Sequence, residues 1–298
     1  MSIERFRIKT TFIYMNSLII FCDILNNVTS RISGKFNLSI HGVNMSERFS
    51  RTQLLLGRSA METLKSARVI VFGVGGVGGY VIEALARSGV GAIDIVDNDT
   101  VCMSNLNRQI IATTSTLGMY KVDAAEQRML DINPDLKITK HRMFYLPETA
   151  DRFDFSQYDY VVDAIDTVTG KIQIVMQAEE MHVPVISSMG AGNKMNPALL
   201  EVADIYQTSV CPLAKVMRRE LKKRGIKKLK VVYSKEPALT PLTESMESSE
   251  CALSGSIKNA DSVTPRKRIP GSNAFVPSVA GLIIASEVVK DLVNFKRE

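Results

Sequence analysis

The stretch from residue 69 to residue 99 reads VIVFGVGGVGGYVIEALARSGVGAIDIVDND. Its first apolar run leads directly into Gly73, Gly75, Gly76 and Gly78, and an amphipathic segment follows. Glycine has no Cβ, so a chain rich in glycine turns tightly and lets a phosphate approach the backbone. The free N–H groups at the start of the next helix also attract an anion. The pattern predicts a strand, a phosphate-binding loop and a helix.

A second apolar run, residues 92–96, ends in Asp97-Asn98-Asp99. Asp97 follows Gly73 by 24 positions, a spacing at which a carboxylate reaches a ribose hydroxyl in dinucleotide-binding folds. Asp99 places a second carboxylate near the same ribose. The sequence therefore predicts that the chain binds a nucleotide.

Strand and helix patterns alternate along most of the chain. Apolar runs predict strands at 68–72, 92–96, 137–141, 160–164, 184–187 and 198–205. Helical spacing predicts helices at 54–66, 77–88, 120–131, 171–180, 213–224 and 275–295. This alternation is typical of an α/β, Rossmann-like fold, with a doubly wound and mostly parallel sheet and helices on both faces.

The C-terminal half adds a further strand and helices to this predicted sheet. Residues 236–273 are rich in Ser, Pro, Thr and Lys and predict a long mobile loop before the C-terminal helix at 275–295. Ligands of such sheets bind at the carboxyl ends of the strands. The glycine-rich and acidic motifs fall at those ends, so we expect them to form one site.

The first 44 residues differ from the rest of the chain. Their apolar run, residues 11–25, contains Asn16, Ser17 and Asp23, so it is too short and too interrupted for a membrane-spanning helix. We expect residues 1–44 to be a non-native or disordered extension and residues 45–298 to form the working domain. A membrane anchor is the alternative interpretation.

Composition restricts the possible functions. The net charge of +6 favours an anionic partner. The four cysteines, Cys22, Cys102, Cys211 and Cys251, form no CxxC pair, which argues against a structural zinc site. Sparse cysteines suit a reducing compartment, so we expect a cytoplasmic protein without a membrane partner.

Several side chains after the glycine loop favour ATP over a nicotinamide cofactor. The segment 104–109, SNLNRQ, supplies Asn105, Arg108 and Gln109, and Lys121 opens the next helix. Guanidinium and ammonium groups suit phosphates rather than a neutral nicotinamide ring. Asp166 follows a buried strand, where a carboxylate can hold Mg²⁺ on a triphosphate. Together these residues predict an enzyme that cleaves ATP with the help of Mg²⁺.

The predicted helix at 213–224 has one basic side. Helical spacing brings together Lys215, Arg218, Arg219, Lys222 and Lys223. We expect this side to contact the phosphate backbone of RNA, and residues 266–268, Arg-Lys-Arg, add a second basic patch. A solvated lysine face is the alternative.

The order GVGGVG, DND, SNLNRQ, a lysine and DAID resembles the ThiF/MoeB group of ubiquitin-activating-type adenylyltransferases over roughly residues 47–295. Within that group, residues 48–52, 190–194, 211–215 and 270–278 are similar to the tRNA threonylcarbamoyladenosine dehydratase branch. One departure is visible, because the branch more often has Asp-Pro where this chain has Cys211-Pro212.

The resemblance implies ATP and Mg²⁺ as cofactors, tRNA as substrate, a homodimer and a sulfur-relay partner of the cysteine desulfurase system. It implies that a carboxylate on a modified adenosine beside the anticodon is adenylated, after which the neighbouring carbamoyl group closes a ring and expels AMP. It also implies roles for single residues: backbone approach at Gly75 and Gly76, ribose binding by Asp97, phosphate contacts by Asn105, Arg108 and Lys121, Mg²⁺ binding by Asp166, and an arginine finger from Arg48 or Arg51 of the partner subunit.

Three other functions remain open at this point. The first is activation of a ubiquitin-like sulfur carrier protein by the same adenylation, which the basic helix makes less attractive than an RNA substrate. The second is a nucleotide-binding scaffold without chemistry. The third is a nicotinamide dehydrogenase, the class of protein in which a lone glycine fingerprint is most often found.

Overall fold

A computed structural model of the chain describes residues 45–242 and 270–296. The chain divides into two units, Met1–Ser50 and Arg51–Glu298, so the division lies beyond the predicted boundary at residue 45. In the first unit, the described residues form a short helix, α1 (Met45–Arg48), and the Arg48 guanidinium lies 5.9 Å from the centre of the Phe49 ring. The predicted extension, 1–44, lies outside the described residues.

The second unit contains a seven-stranded sheet with helices on both sides. The strands are β1 (Arg68–Phe72), β2 (Ala92–Val96), β3 (Lys137–His141), β4 (Tyr160–Asp163), β5 (Val185–Ser188), β6 (Leu200–Asp204) and β7 (Lys230–Ser234). The helices are α2 (Ser50–Leu56), α3 (Arg58–Ser66), α4 (Gly78–Ser88), α5 (Lys121–Ile132), α6 (Val168–Glu180), α7 (Pro212–Lys223) and α8 (Val276–Leu292).

The strand order is β3-β2-β1-β4-β5-β7-β6, and every neighbouring pair is parallel except β6 and β7. This confirms the predicted Rossmann-like fold. The direction of winding reverses between β1 and β4, which leaves a crevice at their carboxyl ends. The glycine loop after β1 and the acidic segment after β4 both open into that crevice.

Buried apolar side chains hold the helices against the sheet. Val69, Val71 and Val162 of the central strands are fully buried, as expected for parallel strands that are covered on both faces. Helix α8 packs on α4 at Gly281, where an added Cβ would overlap the Val77 carbonyl oxygen and lie 2.8 Å from the Tyr80 Cβ. The C-terminal helix therefore supports the helix that follows the glycine loop.

A buried carboxylate links β2 to its neighbours. Asp94 is 1% exposed, and it accepts hydrogen bonds from Arg68 Nε at 2.9 Å, from His141 Nε2 at 2.9 Å and from the Tyr158 hydroxyl at 3.1 Å. Burial alone would raise the pKa of Asp94, but the bonds from His141 and Arg68 outweigh it and lower that pKa below its ordinary value. The ionised carboxylate therefore stabilises the packing of β1, β2 and β3.

The structure corrects several predicted boundaries. The single helix predicted at 54–66 is wrong, because Gly57 adopts a φ of +84° and separates α2 from α3. Strand β7 was not predicted, since the basic run before it obscured the buried Val231 and Val232. Of the predicted mobile loop, 236–273, residues 243–269 lie outside the described part of the chain.

None of the helices in the described residues combines the length and the apolar character needed to cross a bilayer. Helix α8 spans 17 residues and contains Glu287 and Lys290, which pair with each other.

The tight crossing at Gly281 makes a prediction about stability. In an open helix interior, Gly→Ala raises the free energy of unfolding by about 0.5–1 kcal/mol, so a decrease at Gly281 would report the tight packing. We expect Gly281→Ala to lower the free energy of unfolding by about 1–3 kcal/mol, because the new Cβ must displace backbone. Ser286→Ala, on the exposed side of α8, should change it by less than about 0.5 kcal/mol. Urea unfolding measures both, and a Gly281→Ala variant more stable than wild type contradicts the packing.

The Asp94 cluster predicts a pH dependence. Because the folded-state pKa of Asp94 is lowered, its contribution is complete above the unfolded pKa of about 3.9 and is lost as the pH falls through the folded pKa. We expect Asp94→Asn to cost about 3 kcal/mol at pH 7, and the cost to shrink in this acid range. Asp151→Asn, at an exposed position, is the control. A cost that stays constant between pH 7 and pH 2 would show that Asp94 does not act through its charge.

Candidate nucleotide-binding site

The glycine loop after β1 is shaped by two positions that exclude a side chain. Gly73 has a φ of +90°, and an added Cβ would lie 2.7 Å from the Ala164 carbonyl oxygen. A Cβ at Gly78 would overlap the Gly73 carbonyl oxygen. Gly75 differs, because nothing lies within 4 Å of its Cβ position. The loop is therefore pressed against the segment after β4 and presents open backbone at Gly75, where a phosphate can approach.

Asp97 braces this loop from the end of β2. Its Oδ2 accepts a hydrogen bond from Val74 N at 2.8 Å, and its Oδ1 accepts one from Asp99 N at 2.8 Å. Burial raises the pKa of Asp97, and the nearby Lys121 ammonium opposes that rise. Each carboxylate oxygen keeps a second lone pair, so Asp97 can also accept a bond from a ribose hydroxyl.

Lys121 is held between two carboxylates. Its Nζ lies 2.7 Å from Asp99 Oδ2 and 3.8 Å from Asp97 Oδ1, and the residue is only 6% exposed. The two aspartates compensate its charge in this structure. A phosphate would therefore have to compete with Asp99 for the ammonium group.

The predicted motif at 104–109 forms a turn beside the glycine loop. Asn105 is buried, and its Oδ1 accepts a bond from Cys102 N at 3.1 Å, which leaves its amide N–H groups as donors. Gln109 is 5% exposed, and its Oε1 has no partner within the described part of the chain. Unsatisfied buried acceptors are rare, so this oxygen is suited to a donor group of a ligand.

Arg108 carries the free positive charge of the site. Its Cγ lies 3.4 Å from the Cβ position of Gly76, and its Nη1 donates to Ser104 O at 2.8 Å and to Asn107 Oδ1 at 2.9 Å. Both acceptors are neutral, and none of the ion pairs among the described residues involves Arg108. Burial lowers the pKa of Arg108, although a guanidinium stays charged at neutral pH. An uncompensated guanidinium on a side chain that packs against the glycine loop is suited to bind phosphate.

Two aspartates at the carboxyl end of β4, Asp163 in the strand and Asp166 after it, have different surroundings. Asp163 is fully buried, and Lys171 Nζ donates to both of its oxygens at 3.0 Å while Ser187 Oγ donates at 2.5 Å. Asp163 also accepts from Ile165 N at 3.3 Å, so this cluster fixes the start of the loop that carries Asp166. Asp166 itself is exposed and has no hydrogen bond or ion pair among the described residues. Its carboxylate is free to bind a cation.

The described side chains near the crevice offer few ligands for Mg²⁺. No group of three or more His, Cys, Asp or Glu side chains in the described residues could hold a metal ion by itself. Mg²⁺ commonly takes one or two carboxylates, several waters and substrate phosphates. A single free carboxylate at Asp166, two residues after the Ala164 carbonyl that lies against the glycine loop, fits that pattern.

The predicted site residues divide into two groups. Contacts join the glycine loop to Asp97 and Arg108, and Asp97 is joined through Asp99 to Lys121. Asn105 and Gln109 lie in the same turn as Arg108. Arg51 is outside this group, because it is exposed on α2 without a partner among the described residues. Arg48 belongs to the first unit. Sequence reasoning missed the buried pair of Asp163 and Lys171, whose only signal was a lysine in a predicted apolar helix.

Helix α7 carries the predicted basic face. Lys215, Arg219, Lys222 and Lys223 are exposed. Arg218 is half-buried, and its Nη1 donates to the Thr208 carbonyl at 2.8 Å and to the Thr208 hydroxyl, so a contact of Arg218 with RNA stays a prediction.

The acidic residue within this face is neutralised by its neighbours. Glu220 pairs with Lys223 at 3.0 Å, with Arg224 at 3.0 Å and with Arg219 at 3.1 Å. The bonds from Lys223 and Arg224 lower the pKa of Glu220 to about 2. The face therefore keeps a net positive charge at neutral pH.

Known proteins match this chain over most of its length. The ThiF family matches residues 49–298. The tRNA threonylcarbamoyladenosine dehydratase of Bacillus subtilis (strain 168) is 45% identical over 251 residues, which cover 84% of this chain and 96% of that protein. The protein of the same name from Escherichia coli (strain K12) is 31% identical over 255 residues, which cover 83% and 94%.

A solved structure shares the fold. The crystal structure of the Escherichia coli enzyme, TcdA, in complex with ATP matches with a TM-score of 0.72 and 30% identity, and the match covers 84% of this chain and 95% of that chain. The residues that the family matches, 49–298, include the glycine loop, Asp97, Arg108 and Asp166. The chain belongs to the ThiF family and, within it, to the tRNA threonylcarbamoyladenosine dehydratases.

Proposed function

We propose that this protein uses ATP to adenylate the carboxylate of threonylcarbamoyladenosine in tRNA and then closes that nucleoside into its cyclic form. The observation that carries the proposal is the Arg108 guanidinium, which has no acidic partner among the described residues and whose side chain packs on Gly76 of the glycine loop. The free carboxylate of Asp166 lies two residues after Ala164, which contacts the same loop at Gly73. The names of the relatives and the ATP complex of the Escherichia coli enzyme support it. They also favour dehydration over activation of a sulfur carrier protein.

The reaction balances without an enzyme nucleophile. A carboxylate oxygen of the substrate attacks the α-phosphorus of ATP, and the bond to pyrophosphate breaks. The resulting acyl-adenylate has AMP as a stable leaving group. The carbamoyl group of the same substrate then attacks the acyl carbon, loses a proton and expels AMP, which carries away one carboxylate oxygen. The protein contributes positioning and charge neutralisation.

Each residue of the site has a role in this scheme. The open loop at Gly75 and Gly76 takes the phosphates at the start of α4, and Arg108 neutralises their charge. Asp97 accepts a hydrogen bond from a ribose hydroxyl while it holds the loop in place through Val74 N. Lys121 joins the phosphates when it exchanges its bond to Asp99. Asp166 would hold Mg²⁺, which when bound neutralises phosphate charge.

A second copy of the chain completes the site in this proposal. Helix α2 exposes Leu54 at 83% and Leu55 at 81%, beside the exposed Arg51. Adjacent exposed leucines favour a protein interface. We therefore propose a homodimer in which Arg51, or Arg48 of the first unit, serves as the arginine finger of the other subunit. A sulfur-relay partner and a cytoplasmic location stay predictions.

The tRNA would lie along α7. Helix α7 begins at the carboxyl edge of the sheet, where the Cys211 Sγ lies 3.6 Å from the Cβ position of Gly190. From Lys215 to Lys223 the basic face extends about 12 Å away from that edge. When one nucleoside of the tRNA lies in the crevice, the basic face of α7 would bind phosphates of the rest of the RNA.

Removal of the free carboxylate tests the chemistry. We expect Asp166→Asn to slow the loss of water from threonylcarbamoyladenosine by about 10²-fold or more, because the metal that neutralises the phosphates loses its ligand. Nucleoside mass spectrometry after incubation with ATP, Mg²⁺ and modified tRNA measures this. Asp131→Asn, exposed on α5, is the control and should match wild type. Full activity of Asp166→Asn would refute its role, and a wild-type protein that leaves the nucleoside unchanged would refute the function.

Charge removal on α7 tests the RNA surface. The double variant Lys222→Gln/Lys223→Gln should weaken tRNA binding and reduce the slope of log affinity against log salt by about 1–2, since two phosphate contacts are lost. The control Lys65→Gln/Lys137→Gln removes the same charge from exposed positions on α3 and β3. Filter binding at several salt concentrations measures both. Equal slopes for the two variants would show that α7 does not contact the RNA.

A further inference from the structure

Three distant segments of the chain meet at Asn193. Its backbone N donates to Gly271 O at 2.8 Å, its side-chain Oδ1 accepts from Gly271 N at 2.6 Å, and its carbonyl accepts from Leu239 N at 2.8 Å. The Gly192 Cβ position lies 3.0 Å from the Pro270 Cβ. Hydrogen bonds and packing therefore connect three segments of the chain, at residues 192–193, 239 and 270–271.

Neighbouring side chains reinforce this junction. Asn273 Nδ2 donates to the Lys194 carbonyl at 2.6 Å, and the buried Lys194 ammonium donates to the Glu236 carbonyl. Glu236 in turn accepts from Met195 N at 3.0 Å. Asn193 has a φ of +57°, a conformation that Asn and Gly adopt more readily than other residues. The left-handed backbone at position 193 and the side-chain contact with Gly271 therefore both favour asparagine there.

The junction reaches the phosphate-binding arginine through Asn107. The Asn107 amide Nδ2 donates to Ser272 O at 3.0 Å, directly after Gly271. The Asn107 Oδ1 accepts from Arg108 Nη1 at 2.9 Å. Asn107 thus connects the segment that Asn193 holds to the Arg108 guanidinium. Sequence reasoning gave Asn107 and Asn193 no role.

We propose that Asn193 and Asn107 are positioning residues that orient the Arg108 guanidinium toward the phosphates of the nucleotide. This inference rests on the proposed ATP site. An arginine side chain has many rotamers, and ordering it on binding costs free energy. Asn107 orders the guanidinium beforehand while adding no negative charge, so the positive charge stays available for the phosphate. Asn193 supplies the fixed point by holding Gly271, the residue before the Ser272 carbonyl that accepts from Asn107.

The experiment separates side-chain contacts from backbone effects. Asn193→Gly keeps the left-handed backbone and removes the acceptor for Gly271 N, whereas Asn193→Asp keeps an acceptor. Asn107→Ala removes both contacts of an exposed side chain, so the fold should survive it. Asn196→Gly is the matched control, because that exposed asparagine caps only Ala198 N at 3.0 Å. Isothermal titration gives the affinity for ATP and, as a ligand without phosphates, for adenosine.

We expect Asn193→Gly and Asn107→Ala to weaken ATP binding about five- to tenfold each and to leave adenosine binding within about twofold. The double variant should lose little more than either single variant, because both act through one chain of contacts. Asn193→Asp and Asn196→Gly should match wild type.

Three results would overturn the inference. Unchanged ATP affinity in Asn193→Gly and Asn107→Ala would show that Arg108 needs no such support. Equal weakening of ATP and adenosine binding would show a general structural effect instead of phosphate positioning. Absence of ATP binding by the wild-type protein would refute the proposed function, and this inference with it.

Discussion

The close approach of the glycine loop to the segment after β4 is the constraint on which the rest of the site depends. Gly73 lies so near Ala164 that no side chain fits, and Gly78 folds back on the Gly73 carbonyl in the same way. Because the two loops touch, groups that follow β1, β2 and β4 converge on one crevice. Asp97 then holds the loop through Val74 N, so the carboxylate that can take a ribose also sets the shape of the phosphate site.

The charges of this region are of two kinds. Asp163 and Lys171 form a fully buried pair that fixes the start of the loop after β4, whereas in the pair of Lys121 with Asp99 the Asp99 side chain stays 27% exposed. Arg108 and Asp166 lack an oppositely charged partner among the described residues. Burial removes part of the hydration of the Arg108 guanidinium, so a phosphate that compensates its charge is favoured. The pairing pattern thus distinguishes the Asp163–Lys171 pair, which shapes the site, from Arg108 and Asp166, which carry no such partner.

Much of this site could be predicted from local sequence. The glycine spacing and the strands that alternate with helices follow from short-range rules, and the structure agrees with them. Strand β7 was missed because a basic run precedes it, and the contact of Arg218 with Thr208 was not foreseen because helical spacing does not show which backbone a side chain meets. The contact of Asn193 with Gly271 joins residues 78 positions apart, so no local pattern signals it.

Activation of the substrate carboxylate by transfer of AMP is tested most directly by isotope labelling. The carboxylate of threonylcarbamoyladenosine in tRNA is labelled with ¹⁸O, the tRNA is incubated with the protein, ATP and Mg²⁺, and the masses of the nucleotide products are measured by mass spectrometry. We predict AMP that carries one ¹⁸O atom, in equal amount to the cyclised nucleoside. Unlabelled AMP, or ADP and phosphate in place of AMP and pyrophosphate, would contradict transfer of AMP to the carboxylate.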